Sequence, residues 1–183
     1  VTISDTTIAV AVLDALNDYT DVDINATSVT TITGAAATIN TQYAGGVSNL
    51  GNEAITLSDT TLAAATFNTL NGNTTGTING NSITTLTGTA TAVLSAYQAD
   101  DVGTISGLDN EAVTISDTTI DAALLNTLDG YTTGVINAAS VTELTGTSAA
   151  KATARASSGI INLFALDSQP ITMEGSPLTG YVS

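Results

Sequence analysis

Internal repetition constrains this chain more than any other feature. The segment VTISDTT at residues 1–7 returns as ITLSDTT at 55–61 and as VTISDTT at 113–119. SVTTITG at 28–34 returns as SITTLTG at 82–88 and as SVTELTG at 140–146. One unit therefore runs from Asp5 to Asp59, and a slightly longer one from Asp59 to Asp117. Both motifs carry a β-branched residue followed by Thr, so each unit divides again. The module starts are Val1, Val29, Ile55, Ile83, Val113, Val141 and the weaker Ile171. A module of that size cannot bury a core alone. The period, about 28 residues, falls in the range of roughly 20–50 that marks chains whose modules stack and cover one another.

Within a module the residues read as strand, short helix and glycine-marked return. Val113, Ile115, Ile83 and Leu86 alternate with Thr and Ser as strand residues do. Ile120, Leu124 and Leu128 then fall at i, i+4, i+8, one face of a helix over 119–128. Thr119 is expected as its N-cap, with Asp121 near the positive end of the helix dipole and Gly130 closing the helix in a left-handed conformation. The alternate module places Ile39 and Tyr43, or Val93 and Tyr97, on the same stripe. A second apolar–polar pair precedes most strands, at Ile24-Asn25, Ile78-Asn79, Ile105-Ser106, Ile136-Asn137 and Ile161-Asn162, and predicts a brief strand or a corner.

The expected architecture is an α/β repeat solenoid with a parallel sheet, of six to seven modules. Residues 1–160 carry the repeats, in units starting near 1, 55 and 113, and 161–183 form a degenerate terminal module or a cap or assembly segment. The alternative is an all-β right-handed parallel β-helix, but Ala-rich stretches with i, i+4 anchors make poor strands. Stacking predicts columns of equivalent residues: Asn25, Asn79 and Asn137 in one, Ser28, Ser82 and Ser140 in another. Such amides satisfy backbone groups at corners more readily than they bind ligands. Asp5, Asp59 and Asp117 stand just before a helix, where a carboxylate satisfies free N–H groups. Gly34, Gly88 and Gly146 mark the turn from strand to helix.

Composition narrows the functions. The chain has 17 acidic side chains against 2 basic ones, so it lacks the cations that nucleic acid or an anionic membrane requires. It has no His and no Cys, which removes the common acid–base and nucleophile sets, disulfides and thiolate metal sites. Hydrophobic content of 43% argues for a folded chain, and 36 threonines favour pleated, half-buried surfaces. The start inside a repeat, without a signal peptide, is expected of a piece of a longer or processed polypeptide. No enzyme activity and no cofactor are expected.

Two exceptions to the repetition are candidate sites. Asp18, Asp21 and Asp23 cluster beside Asn17 and Asn25, and Asp100 and Asp101 precede Asp109-Asn110-Glu111, densities of oxygen that a calcium ion could use. Neither matches an EF-hand loop, and Asp18, Asp21 and Asp23 are replaced by Gly72, Thr75 and Thr77 in the next unit, which favours a solvated acidic edge. The only cations, Lys151 and Arg155, take the places of Val93 and Tyr97. Either that helix turns to bury Ala152 and Ala156 or its cationic stripe meets an acidic surface. Phe164, in the tail, is a further candidate assembly contact.

The strings GLDNEAVTISDTTI, LLNTLDGYTTGVINAASVTELTG and GNEAITLSDTTLAAATFNTLNGNTTG resemble repeats of very large secreted or cell-surface, RTX-like proteins of marine cyanobacteria, over about residues 1–160. The resemblance implies an extracellular address and a structural duty. It carries over no catalytic residue, and the glycine-rich calcium nonapeptide of such proteins is absent. The expected function is a structural segment of a fibre, layer or stalk that associates head to tail or through contiguous repeats. An adhesin-type module for glycan or another cell surface is the alternative.

Overall fold

The computed structural model describes residues 1–163. Phe164, the strand expected at 171 and nearly all of the terminal module lie outside the described residues. The chain alternates strands and helices: β1 (Thr7–Ala9), α1 (Val10–Asp18), β2 (Ile24–Asn25), β3 (Thr31–Gly34), α2 (Ala36–Ala44), β4 (Val47–Ser48), β5 (Ala54–Leu57) and β6 (Thr61–Ala63). There follow α3 (Ala64–Asn73), β7 (Ile78–Asn79), β8 (Thr85–Gly88), α4 (Ala90–Asp101), β9 (Ile105–Ser106), β10 (Ala112–Ile115), β11 (Thr119–Asp121), α5 (Ala122–Asp129), β12 (Ile136–Asn137), β13 (Glu143–Thr145), α6 (Ser148–Ala156) and β14 (Ile160–Ile161). The fold is α/β with parallel sheets, and the all-β alternative fails because each Ala-rich stretch is helical.

Two five-stranded sheets, ordered β1-β3-β5-β7-β9 and β6-β8-β10-β12-β14, and two pairs, β2-β4 and β11-β13, make up the named strand pairing of the described residues. Every pair is parallel. Along the first sheet Ile8, Ile32, Ile55, Ile78 and Ile105 stand in register, each against the next. Along the second, Leu62, Leu86, Val113, Ile136 and Ile160 do the same. All ten are buried. The short pairs read as strands or corners are strands, with the last shifted by one residue to Ile160–Ile161.

Register corrects the expected columns. Thr7 pairs with Thr31, Thr31 with Ala54 and Thr85 with Ala112, and each of these intervals is shorter than the module period. Two pairings thus carry Thr7 only as far as Ala54, short of its sequence counterpart Thr61. The stretch between Ala54 and Thr61 steps the chain sideways, from β5 in one sheet to β6 at the head of the next. Ala112 and Thr119 repeat the step at the same interval. Equivalent residues of successive units therefore fall in different sheets: Asn25 pairs with Ser48, Asn79 with Thr56 and Ser106, Asn137 with Thr114 and Ile161. The longer second unit has its cause in α4, which runs 12 residues where α2 runs 9.

Each helix packs against the next, from α1 through to α6. The buried stripe starts on the first helical residue, as Ala36, Ile39 and Gln42 in α2, Ala64, Phe67 and Leu70 in α3, and Ala122, Leu125 and Leu128 in α5. In α5 this shifts the expected stripe, because Ile120 belongs to β11 and the helix begins just beyond it. Asp121, not Thr119, is its N-cap, accepting the Ala123 N–H at 2.7 Å. Gly130 ends it with φ −78°, so no left-handed residue is needed there. Gly34, Gly88 and Gly146 do adopt positive φ, at 140°, 139° and 98°, at the turn into a helix. A Cβ on Gly34 would strike the Val10 side chain.

Replacing Ile78, fully buried in the first ladder, by Ala is expected to lower stability by about 2–5 kcal/mol in urea unfolding. Thr56→Ala, on the exposed side of the same sheet, should change it by no more than about 0.5 kcal/mol.

Candidate functional site

The polar groups that repeat along the chain serve the junctions between units. Asp59 Oδ2 accepts the Ala36 N–H at 2.8 Å, and Asp117 Oδ2 accepts the Ala90 N–H at 2.7 Å. These carboxylates therefore cap α2 and α4, helices of the preceding unit, rather than the helix that follows them in sequence. The side step explains the difference, since it brings the Ser-Asp-Thr-Thr turn back beside the earlier helix. Asp5 is exposed, with no earlier helix among the described residues to cap.

Asparagine amides tie the helices together: Asn40 donates to the Thr66 carbonyl, Asn68 to Ala92 and Asn126 to Ala150. The corner asparagines behave as expected of turn residues, although not as one column. Asn25 Oδ1 accepts the Thr27 N–H, Asn79 Oδ1 that of Asn81 and Asn137 Oδ1 that of Ala139. Threonine hydroxyls are similarly engaged. Thr30, Thr84 and Thr142 donate to the carbonyls of Thr6, Thr60 and Thr118, and Thr41, Thr69, Thr127 and Thr153 to the carbonyl one turn back in their helices.

The buried acids are the part that sequence reasoning missed. Glu53 and Glu111 are 0% and 2% exposed. Glu53 Oε2 accepts the Tyr43 hydroxyl at 2.9 Å and the N–H groups of Gly51 and Asn52, while its other oxygen has no partner. Glu111 Oε2 accepts the Tyr97 hydroxyl at 3.3 Å. Glu111 thus leaves the acidic edge to which its neighbour Asp109 belongs. The signal lay in the recurrence of Asn-Glu-Ala before the strands at 54 and 112, whereas Asp109 stands where the earlier unit has Gly51. Burial raises the Tyr43 and Tyr97 hydroxyls above the ordinary tyrosine value, and the adjacent carboxylates add to the rise. Tyr131 stacks on Tyr97 with ring centroids 5.9 Å apart.

The predicted calcium residues do not converge. Asp18 ends α1, and Asp21 and Asp23 are exposed in the loop beyond it. Asp100 Oδ1 accepts the Leu108 N–H at 3.2 Å, and Asp101 is exposed. Burial raises the Asp100 carboxyl above its ordinary value, opposed by that hydrogen bond and assisted by the charges of Asp109 and Asp101. Among the described residues no group of three or more acidic side chains is placed to hold a metal ion. In α6, Ala154 is buried, Lys151 half-buried, and Arg155, Ala152 and Ala156 exposed. The helix has not turned to bury Ala152 and Ala156: Ala154 stands where Ala96 is buried in α4, with Lys151 half-buried and Arg155 exposed where Val93 and Tyr97 are buried.

Open clefts occur at matching places in two units. One, of about 650 Å³, lies beside Gly34 and is lined by Val10, Asp14, Asp18, Thr38 and Leu57 among others. The other, of about 460 Å³, lies beside Gly88 between Ala63, Ala92 and Ile115. Their described walls are mostly small Ala, Gly, Thr and Ser residues, with Asp14 and Asp18 the charged groups of the first, and no aromatic residue lines either among the described residues.

Both of the glutamate-bound phenols stay neutral past the pH at which an unfolded tyrosine ionises. Stability should therefore hold below about pH 10 and fall as the pH rises toward the folded values. A melting series across that range checks this. Tyr97→Phe, which strips a donor from buried Glu111, should cost about 1–3 kcal/mol at neutral pH and soften the alkaline fall. Asp117→Ala should cost about 0.5–2 kcal/mol through the lost cap, and Asp5→Ala close to nothing.

No protein-family model, no curated protein and no solved structure matches this chain.

Proposed function

We propose that the chain is a solenoid segment of a secreted or cell-surface protein, in which stacked modules build an extended fibre, layer or stalk. The observation that carries this reading is the cap between units, in which Asp59 and Asp117 each close a helix of the unit before. Each unit thereby completes its predecessor, as a chain built to be extended requires. The in-register aliphatic ladders and the row of stacked helices support the same reading.

Catalysis has no support in the arrangement of acids. The carboxylates that repeat between units, at Asp59 and Asp117 and at Glu53 and Glu111, are held in caps or buried tyrosine bonds. The resemblance to RTX-like surface repeats favours an extracellular address. No described helix is long and apolar enough to cross a membrane. The matched clefts beside Gly34 and Gly88 favour an adhesin-type module as the second reading. Against it, Tyr97 and Phe67 are buried and Tyr43 and Tyr131 half-buried, so Tyr19 is the one exposed aromatic among the described residues and no exposed aromatic column of the kind glycans stack on is formed by them.

Immunogold electron microscopy of the native material is expected to place the protein in surface fibres or layers. A compact particle confined to the cell interior would overturn the proposal. Binding of soluble glycans that is lost on filling the cleft at Gly88 would favour the adhesin reading instead.

A further inference from the structure

The joint between the second and third units carries a pair of phenols. Tyr97 of α4 and Tyr131, just beyond α5, stack with ring centroids 5.9 Å apart and planes inclined by 25°. Tyr97 is 2% exposed, and its hydroxyl donates to Glu111 Oε2 at 3.3 Å. Tyr131 is half-buried, so the pair is open to solvent at that ring. Partial burial raises the Tyr131 hydroxyl above its ordinary value, and the Asp101 carboxylate beside it adds to the rise. Thr132 holds the adjoining backbone in place by donating to the Glu111 carbonyl at 2.9 Å.

The joint one unit earlier is built alike, with one difference. Tyr43 donates to Glu53 Oε2 and Thr74 to the Glu53 carbonyl, as Tyr97 and Thr132 do at Glu111. Where Tyr131 stands, the earlier joint has Asn73, whose amide donates to Asn40 Oδ1 at 2.9 Å. A joint of this design therefore closes without a second ring. Tyr131 supplies something that packing alone does not require.

Composition indicates what two adjoining phenols can do. The chain has no Cys, Trp or His and a single Met against five Tyr, so tyrosine is the main residue from which a one-electron oxidant can draw. A phenol gives up an electron readily only when its proton leaves with it, and a carboxylate stands ready to take the proton from each of these two rings. Contact between the rings lets an electron vacancy formed at the more open Tyr131 pass inward to Tyr97.

We propose that Tyr97 and Tyr131 are the site of an oxidative cross-link, a dityrosine that ties the second unit covalently to the third. One electron leaves each ring, the Tyr97 proton passing to Glu111 and the Tyr131 proton to Asp101. The two phenoxyl radicals join through a carbon–carbon bond between ring positions ortho to the hydroxyls. The hydrogen on each joined carbon then moves to the neighbouring oxygen and restores both phenols. One C–C bond has formed, two C–H bonds have broken, and two protons and two electrons have left. A peroxide takes them up as its O–O bond breaks, hydrogen peroxide giving water. Such a bond fastens neighbouring units in a chain that has no cysteine for a disulfide, and it does so whatever the segment builds.

The test uses the full chain at high dilution, oxidised by peroxodisulfate with a photoexcited ruthenium(II) complex and then cleaved at its acidic residues for mass spectrometry. The expected product is a monomer lighter by two hydrogen atoms, with the peptide of Tyr97 joined to that of Tyr131 and dityrosine fluorescence. Tyr131→Asn copies the earlier joint, so it should keep the fold, checked by circular dichroism, and lose the link. Tyr43→Phe should keep both. Native material should carry the same joined peptides. Three results would each overturn the proposal: a folded chain with no bond between Tyr97 and Tyr131, a bond that forms as readily in urea, or native peptides that are all unlinked. Dityrosine found only in dimers, through exposed Tyr19, overturns it as well. Microscopy of the native protein bears on the structural reading alone, so either conclusion can fail without the other.

Discussion

Parallel strands can be hydrogen-bonded neighbours only if the chain returns to its starting side between them. Among the described residues every one of those returns contains a helix, from 8 residues in α5 to 12 residues in α4, and nearly everything else follows from their length. The return fixes the pairing interval, and the interval sets Ile against Ile and Leu against Val down each sheet. Fully burying an aliphatic side chain stabilises by about 1.5–3 kcal/mol, so a one-residue slip that turned a whole ladder outward would be severely unfavourable. The helix can lengthen, as α4 has, because its extra residues add to the outer return while the strands keep their register.

The polar side chains are arranged around that constraint. Short strands and tight corners leave many backbone groups without a partner in a ladder, and Asn, Thr and Asp supply partners locally. This accounts for a composition that looks at first like a surface designed for binding. Thirty-six threonines suggest rows of free hydroxyls, yet many donate to carbonyls of the neighbouring layer or of their own helix. The buried glutamates follow the same logic at the entrance to β5 and β10, where the Glu53 carboxylate gathers two N–H groups and a phenol.

Much of this was legible in the residues. The repeated motifs mark the strands and helices, the Ile-Asn pairs mark the brief strands, and Gly34, Gly88 and Gly146 mark the turns. Two things were hidden. Sequence period and pairing interval differ, because the stretches from Ala54 to Thr61 and from Ala112 to Thr119 carry the chain sideways between sheets. Aligned residues such as Asn25, Asn79 and Asn137 are for that reason not stacked residues. The role of Glu111 was hidden by its acidic neighbours, since local charge density says nothing about which carboxylate turns inward. Lys151 and Arg155 were visible as departures from the repeat, and both stand on α6, Lys151 half-buried and Arg155 exposed.

The sideways step also limits how much sheet edge a chain so rich in β-branched residues offers to amyloid growth. Because each unit opens a new sheet, each large sheet holds five strands among the described residues. Their outermost members are short: β1 and β6 have three residues at one end, β9 and β14 two at the other. Such narrow borders offer a foreign strand only two or three residues of template, too few to hold it in register. Continual handover from one sheet to the next therefore lets the sequence be extended by whole units without enlarging any single sheet, and aggregation hazard need not rise with the length of the protein.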